Sequence, residues 1–375
     1  MDFAKSDIQT MLLDSAERLL ADMANVEYWR EQRHRPLGFD EARWAQFAEL
    51  GWLALSAPEA AGGLDGSMED VALLNIILGR ALVHEPYVSS VVLASHVLGQ
   101  ARDQAQAIRL QGEIAAGAAR IALAHQENGV DPLAFGQLTT SARASGEGFL
   151  LSGAKLLALD APSAGHLIVS ARIEGEEGCG LFLVPADAQG VAMECYPLVD
   201  GTQAADIRFS DVPLPAEAVL VAGEQGAEVL GEAIDRASIA LMAQAVGAME
   251  AANKVCGTYV QERMQFGVAI GSFQAIQHIM ADMFVAAHQA RSMLYHALAN
   301  VDQPAAERGA ALSAARLVIG EAGQLVSRNG IQVHGGYGLT DEYAISHYFR
   351  RLMTLEKQYG DIGLHCERLG DHIFA

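Results

Sequence analysis

The last third of the chain contains polar and glycine residues of the types that bind phosphate groups and nucleotides. Arg263 carries a planar, permanently charged guanidinium that can donate two parallel hydrogen bonds to a pyrophosphate. Gly335 and Gly336 lack side chains, so the backbone there can approach a phosphate closely. Gln274 and Gln332 offer amide groups to the polar edges of a nucleotide. The alternative is a set of turn glycines beside a solvated arginine, and these residues alone leave that alternative open.

Three regions with different hydrophobic periods must position these residues. Residues 1–119 have a helical pattern, and Ile8, Leu12 and Leu19 mark one face of the first predicted helix. Residues 120–222 contain short runs rich in β-branched and aromatic residues, separated by Gly, Pro, Asp and Ser, which predicts a small antiparallel sheet or barrel. The helical period then returns in residues 223–375.

The C-terminal region is long enough to form a helical bundle. One apolar stripe in it repeats every three or four residues, and helical patterns follow over Ala305–Asn329 and Ile345–Phe374. Phe266 and Gly267 lie at a predicted helix end, where glycine permits a tight turn. We therefore predict an α+β protein with an N-terminal α-helical domain (1–119), a middle β-barrel domain (120–222) and a C-terminal four-helix bundle domain (223–375). The stripe consists of Ile276, Met280, Met283, Ala287, Ala290, Leu294 and Ala297.

Composition excludes several classes of protein. The chain has 375 residues, 51% of them hydrophobic, and a formal net charge of -21, which argues against binding to nucleic acid or to anionic membranes. The four cysteines are far apart and form no zinc-type pair, so we expect no metal site. No stretch approaches the roughly 18 apolar residues of a membrane span, and the N-terminus does not have the pattern of a signal peptide. We therefore expect a cytoplasmic protein.

Five segments, in order along the chain, resemble the acyl-CoA dehydrogenase family. They are APEAAGGLDG, GAKLLALDAPSAGHLIVSAR, GLFLVPADAQGV, RMQFGVAIGSFQAIQHIMADM and GIQVHGGYGLTDEYAISHYFRR. The C-terminal ending looks most like the small subunits of bacterial heteromeric dehydrogenases, such as the pimeloyl-CoA dehydrogenase kind. The resemblance implies an FAD-dependent oxidoreductase that converts an acyl-CoA thioester to the 2-enoyl-CoA, in fatty or dicarboxylic acid catabolism. It also implies electron-transfer flavoprotein as the electron acceptor.

The resemblance gives the phosphate-binding residues a more specific role. It implies that the adenosine and pyrophosphate of FAD are held by a set of six residues, often across a subunit interface. We therefore expect an oligomer, with either a second copy of the chain or a homologous dehydrogenase subunit. The six residues are Arg263, Phe266, Gln274, Gln332, Gly335 and Gly336.

The flavin-ring half of the family's site is altered in this chain. Ala124 stands where the family has a flavin-contacting threonine, and His125 stands where it has a glutamate. The family also places an aromatic residue and a threonine shortly after a lysine, but here Lys155 is followed by residues with no hydroxyl or aromatic group, Leu156–Leu159. Apolar side chains can pack on the ring but cannot donate hydrogen bonds to its edge.

The resemblance offers two positions for the base that removes the α-proton. One family position falls on Tyr359, whose ordinary pKa near 10 makes it a poor base. The other falls on Asp235 at a predicted helix start, followed by Arg236 as a candidate substrate contact. Asp235 is either the base or a carboxylate that caps the helix. His125 is a tempting catalyst, but a substituted loop residue is the simpler interpretation.

Three hypotheses follow from these residues. The first is an acyl-CoA dehydrogenase subunit in a heterotetramer, whose flavin site is completed by a second, homologous chain. The second is a catalytically silent subunit that is structural or donates Arg263 and Gln332 to the partner's FAD. The third is a flavin-dependent monooxygenase on the same scaffold.

Overall fold

The structure is a computed structural model that describes residues 5–21 and 23–374. A π-helical segment, Val88–Ala94, runs directly into the fifth α-helix. In chain order the α-helices are α1 (Asp7–Ala21), α2 (Val26–Arg33), α3 (Glu41–Glu49), α4 (Met68–Arg80), α5 (Ser95–Gly99), α6 (Gln104–Ala115), α7 (Glu224–Glu262), α8 (Gln274–Ala299), α9 (Ala305–His334), α10 (Ala344–Lys357) and α11 (Ile362–Phe374).

Ten strands lie between or beside these helices, and eight of them form one sheet. The strands are β1 (Ile121–Ala124), β2 (Ser141–Ser145), β3 (Gly148–Leu159), β4 (His166–Ile173), β5 (Gly180–Pro185), β6 (Val191–Pro197), β7 (Gln203–Leu214), β8 (Val219–Val221), β9 (Met264–Gln265) and β10 (Val268–Ala269).

The chain divides into two compact units. As far as its residues are described, the helical unit comprises Met1–His34, Met68–Val83 and Ser238–Ala375. The sheet unit comprises Arg35–Ser67 and His84–Ala237, so it takes in the N-terminal part of α7.

The sheet is mixed and open. Its strand order is β6-β7-β3-β2-β4-β5-β8, and β1 pairs with β4 outside this path. Strand β4 is parallel to both β1 and β2, while the other pairs are antiparallel. The prediction of a small sheet is confirmed, but the closed barrel and the purely antiparallel pairing are not. Because β1 and β2 both run beside β4, the fold requires a long connection between them, and this connection is the loop 125–140.

The core of the sheet unit is built from the alternating inward residues of these strands. Leu151, Val169 and Phe182 are among its fully buried members. The pairing of β3 with β7 is irregular between Lys155 and Ala158, which is the signature of a β-bulge. The bulge redirects the strand at the residues where the family carries its flavin contacts.

In the helical unit, α8, α10 and α11 each pack on α9. The apolar stripe predicted for α8 is largely confirmed, because Met283, Ala287, Ala290, Leu294 and Ala297 are all buried. Five helices, α7–α11, follow the sheet in the described chain, so the four-helix count is not confirmed.

The predicted C-terminal helix over Ile345–Phe374 is instead two helices. Between α10 and α11 the backbone takes positive φ angles at Tyr359 (55°) and Gly360 (99°), which no helix accommodates. The buried Arg316 of α9 donates hydrogen bonds to the main-chain oxygens of this turn, including those of Gln358 (2.5 Å) and Gly360 (2.8 Å). Burial lowers the pKa of Arg316 to about 10, so its guanidinium stays charged at neutral pH. These charged hydrogen bonds stabilise the turn between the two helices.

Candidate functional site

Arg263 is the first residue after α7, and its main chain is fixed on both sides. Its N–H donates to the carbonyl oxygen of Tyr259 (2.8 Å), and its own carbonyl accepts from the N–H of Ile270 (2.8 Å). The guanidinium carbon lies 5.3 Å from the centre of the Tyr337 ring, within the range of a cation–π contact. Across residues 5–21 and 23–374, no carboxylate forms an ion pair with Arg263. The guanidinium is therefore available to an external anion.

Phe266 and Gly267 form the turn of a short hairpin rather than a helix end. They join β9 to β10, and their φ angles of 53° and 83° are both positive, as in a two-residue type I′ turn. Phe266 is 93% exposed, and its ring meets that of Phe273 edge-on at 6.2 Å. Gln274 follows directly as the first residue of α8 and is exposed. The hairpin thus brings Arg263, Phe266 and Gln274 into one neighbourhood.

The other predicted residues lie where α9 ends. Gln332 is exposed in the last turn of that helix. Gly335 has φ 61° and ψ -139°, a conformation that only glycine adopts without strain. Among the described residues, a Cβ atom added at Gly335 or Gly336 would meet nothing within 4 Å. Both glycines therefore have open space beside them.

Four aromatic residues join the ends of α7 and α9. Tyr259 stacks on His334 at 4.1 Å, and its hydroxyl donates to the His334 carbonyl (3.3 Å). Tyr343 meets the edges of Tyr259 (6.3 Å) and His334 (6.2 Å), and Tyr337 lies 5.1 Å from Tyr343. We call these four residues the aromatic shelf. The spacing of Tyr259 four residues before Arg263, on one helix face, was the available signal.

A second polar cluster is buried in the sheet unit around Lys155 on β3. Lys155 is fully buried, and its ammonium donates to the carboxylate of Glu127 (2.7 Å), the carbonyl of His125 (3.0 Å) and the hydroxyl of Ser170 (3.1 Å). Glu127 also accepts from the N–H groups of Thr139 (2.6 Å) and Thr140 (3.0 Å). These contacts fold the loop 125–140 onto the sheet, with Glu127 at its centre.

The cluster fixes the charges of its members. Burial alone would raise the pKa of Glu127, but the hydrogen bonds from Lys155, Thr139 and Thr140 outweigh it and lower the pKa to about 2. Burial lowers the pKa of Lys155, and Glu127 opposes that effect. The pair is ionised, because the ammonium and the carboxylate are each other's counterions. The carboxylate also accepts two main-chain hydrogen bonds, which stabilise its charged form.

His125 occupies a packing position, not a catalytic one. Its Nδ1 lies 2.8 Å from the Ser170 hydroxyl and its Nε2 lies 3.0 Å from the Pro132 carbonyl, so both ring nitrogens are engaged. Burial and the Lys155 charge lower the pKa of His125 to about 4. The side chain is therefore neutral at neutral pH, and the interpretation as a substituted loop residue agrees with its contacts.

The bulge after Lys155 uses its main-chain donors within the chain. The N–H of Leu156 donates to the carbonyl of Gln126 (2.8 Å), and the N–H of Leu157 donates to the Asp206 carboxylate (3.0 Å). Leu157 has φ 50°, a left-handed conformation that is strained for this residue type. Ala124, at the end of β1, is fully buried. The amides of Leu156 and Leu157 are therefore used within the chain, and the side chains of Ala124, Leu156 and Leu157 have no hydroxyl to offer a flavin ring.

Asp235 and Arg236 are both half-buried and lie well inside α7, not at its start. Asp235 is the twelfth residue of a helix that begins at Glu224, so it cannot cap the helix, and that alternative is wrong. Gly231, one turn earlier on the same face, is covered by Phe135 so closely that a Cβ there would lie 3.1 Å from the ring.

Tyr359, at the other base position, is half-buried in the turn that Arg316 holds. An ordinary phenol, with a pKa near 10, is a poor base at neutral pH. In the described part of the chain, no helix has the length and apolarity needed to cross a membrane.

Comparison with known proteins identifies the family. Human mitochondrial short-chain specific acyl-CoA dehydrogenase (Homo sapiens) is 28% identical over 324 residues, covering 83% of this chain and 77% of the relative. The caffeyl-CoA reductase-Etf complex subunit CarC of Acetobacterium woodii is 27% identical over 364 residues, covering 94% of this chain and 91% of the relative. Among solved structures, the Tcur3481-Tcur3483 steroid ACAD variant is 29% identical, with 98% of both chains covered and a TM-score of 0.88. The ChsE4-ChsE5 complex from Mycobacterium tuberculosis has the same fold at 24% identity, with 100% and 99% coverage and a TM-score of 0.90.

Two family models match the chain directly. The N-terminal domain of acyl-CoA dehydrogenases matches residues 6–118, and their C-terminal domain matches residues 224–374. Together the matches span more than half of the sequence, and the chain belongs to the acyl-CoA dehydrogenase family of FAD-dependent oxidoreductases.

Proposed function

We propose that the chain is one subunit of an FAD-dependent acyl-CoA dehydrogenase, in which a second, homologous chain supplies the flavin-ring site and the catalytic base. The observation that carries the proposal is the buried Glu127–Lys155 pair. It holds the loop 125–140 in place and uses the polar groups of this region within the chain.

The diphosphate half of FAD fits the helical unit. Within the described part of the chain the Arg263 guanidinium lies beside Tyr337 without a carboxylate partner, and the space beside Gly335 and Gly336 admits a phosphate close to the backbone. Gln274 and Gln332 are exposed and can offer amides to the adenosine. These residues of the chain bind and orient the cofactor, whether it belongs to this chain or to a neighbour.

The flavin ring does not fit the sheet unit in the same way. The amides of Leu156 and Leu157 already donate within the chain, and the side chains there are apolar. When bound, FAD supplies the acceptor for the β-hydrogen of the acyl thioester. We therefore assign the contacts to the flavin ring to the partner chain.

The catalytic base is assigned to the partner for a related reason. Asp235 is half-buried on the face of α7 that Phe135 covers one turn away. Tyr359 is a phenol, and an ordinary phenol is a poor base at neutral pH. Arg236, as a substrate contact, rests on the family position alone.

Relatives with two-chain names support the heteromeric assembly. The steroid ACAD is named for the two chains Tcur3481 and Tcur3483, and the second structure is a complex of ChsE4 with ChsE5. CarC is named as a subunit of a complex with Etf, which supports electron-transfer flavoprotein as a redox partner. For the substrate we propose a bulky or dicarboxylic acyl-CoA, in keeping with the steroid relative and the pimeloyl-type resemblance.

Flavin content of the chain purified alone and with candidate homologous partners tests the proposal. We expect little flavin in the chain alone, and one FAD per heterodimer, reduced by an acyl-CoA, in the complex. Arg263→Ala should weaken FAD binding to the complex by roughly 10- to 150-fold, the effect of losing a charged contact. If the chain alone binds one FAD that acyl-CoA reduces, a partner for the ring site is unnecessary and the proposal is wrong.

The base assignment has its own test in the same complex. Asp235→Asn preserves the shape of the side chain but cannot accept a proton, so anaerobic flavin reduction should stay within a few-fold of wild type. Asp235→Glu keeps the carboxylate and is the control that retains a possible base. A fall of about 100-fold or more for Asp235→Asn, with partial activity in Asp235→Glu, would identify Asp235 as the base.

A further inference from the structure

The aromatic shelf ends at the guanidinium of Arg263. Its rings come from three different elements: Tyr259 from α7, His334 from α9, and Tyr337 and Tyr343 from the segment between α9 and α10. His334 is 3% exposed and its Nδ1 lies 2.8 Å from the Gly330 carbonyl, so the inner end of the shelf is anchored in the helical unit.

Tyr337 is the outer ring of the shelf and the one that Arg263 contacts. It is 45% exposed, and its carbonyl accepts from both the N–H (3.2 Å) and the hydroxyl (3.0 Å) of Thr340. The main chain that carries the ring is thereby fixed, while one face of the ring stays open to Arg263. Tyr337 also stands directly after the two open glycines, Gly335 and Gly336.

A cation–π contact suits a guanidinium that must bind phosphate. The contact with the Tyr337 ring uses no N–H group as a hydrogen-bond donor to an oxygen, so the guanidinium can still donate two parallel hydrogen bonds to an anion. A long arginine side chain otherwise loses rotamer freedom when it binds, and a preformed contact reduces that loss. A half-exposed cation–π contact of this type changes an equilibrium by roughly 2- to 5-fold.

We propose that Tyr337 is a positioning residue that holds the Arg263 guanidinium ready for the diphosphate of the cofactor. The inference rests on the proposed function, because it requires that Arg263 binds this diphosphate. Tyr337 acts through Arg263 and not through a contact of its own with the cofactor. Its effect should therefore depend on the presence of both Arg263 and the diphosphate.

The test measures ADP and adenosine binding to the FAD-free complex by calorimetry. Tyr337→Leu should weaken ADP binding by roughly 2- to 5-fold and leave adenosine binding unchanged, because adenosine has no diphosphate. Tyr337→Phe keeps the ring and should bind ADP as wild type does. Tyr337→Met provides a second non-aromatic variant of similar size should Tyr337→Leu fold poorly, and thermal unfolding of each variant checks the fold.

The Arg263→Ala background separates a positioning role from a structural one. There, Tyr337→Leu should have no further effect on ADP binding. The inference is wrong if Tyr337→Leu weakens ADP and adenosine equally, if Tyr337→Phe weakens ADP as much, or if the effect persists without Arg263. A loss of ADP affinity in Arg263→Ala with none in Tyr337→Leu overturns this inference alone. If Arg263→Ala itself binds ADP normally, the proposed function fails and the inference with it.

Discussion

Exchanging Glu127 for glutamine leaves the Lys155 ammonium buried without a counterion. The glutamine oxygen, the Ser170 hydroxyl and the His125 carbonyl can all still accept from the ammonium, but none of them carries a negative charge. The pKa of Glu127 falls from the ordinary 4.5 to about 2, and at about 1.36 kcal/mol per unit this corresponds to roughly 3 kcal/mol. Breaking one side of a buried ion pair typically costs about 3–5 kcal/mol. The two estimates agree, and we expect Glu127→Gln to lower the free energy of unfolding by about 3–4 kcal/mol.

The direction with pH follows from the lowered pKa of Glu127. A carboxyl whose pKa is lower in the folded state stabilises the protein above pH 4.5, and this contribution disappears as the pH falls towards 2. The difference between wild type and Glu127→Gln should therefore be full at pH 7 and shrink below pH 4.5. Urea unfolding followed by circular dichroism gives both values.

Two further variants make this experiment decisive. Lys155→Met combined with Glu127→Gln removes both charges, so the double variant should cost less than the sum of the two single variants by about 1–3 kcal/mol. Glu147→Gln, an exposed glutamate in the same unit, is the matched control and should change stability by less than about 0.5 kcal/mol. If Glu127→Gln costs less than about 1 kcal/mol, or if the two changes simply add, the buried ion pair described here does not exist.

Three other predictions test separate parts of the molecule. The pKa of His125 falls from 6.5 to about 4 in the folded protein, so between these pH values the unfolded chain binds a proton that the folded chain does not. The stability advantage of wild type over His125→Asn should therefore shrink by roughly 2–3 kcal/mol as the pH is lowered from 6.5 to 4. A constant difference in urea titrations across this range would refute the prediction. Gly335→Ala should lower stability by about 1–3 kcal/mol in thermal unfolding because of its positive φ, whereas Gly336→Ala, with equal space, should be nearly neutral; equal effects would contradict this. Light scattering at micromolar concentration should show an oligomer, and an active monomer would count against assembly through the C-terminal helices.

Local periodicity predicted much of the fold. The change from helical pattern to short strands and back is what the structure has, and α9 begins at Ala305 as predicted. The buried face of α1 is displaced by one residue, however: Leu13, Ala16 and Leu20 are buried, while Ile8 is 77% exposed. A helix with apolar residues on neighbouring positions leaves the choice of face to its packing partners, which a sequence pattern does not identify.

The features that were missed depend on contacts between distant residues. The break between α10 and α11 is held by Arg316, some forty residues away in sequence, and the pattern of apolar residues continues through it. Glu127 lies in a polar loop beside Asn128 and Gly129, a context typical of solvated residues, yet it pairs with Lys155 across the sheet. The family resemblance supplied the six cofactor residues. The aromatic shelf beside Arg263 combines rings from separate segments of the chain, which no local sequence pattern brings together.

The Glu127–Lys155 pair also restricts how this chain can change over evolutionary time. A variant that loses Glu127 while keeping Lys155 has a buried ammonium without its counterion in the sheet. Losing one of the two charges therefore lowers the stability of the fold, whereas replacing the whole loop need not. The effects of changing these two residues are therefore coupled. A designer who wishes to build a flavin-ring site here should exchange the loop 125–140 and the β3 bulge together.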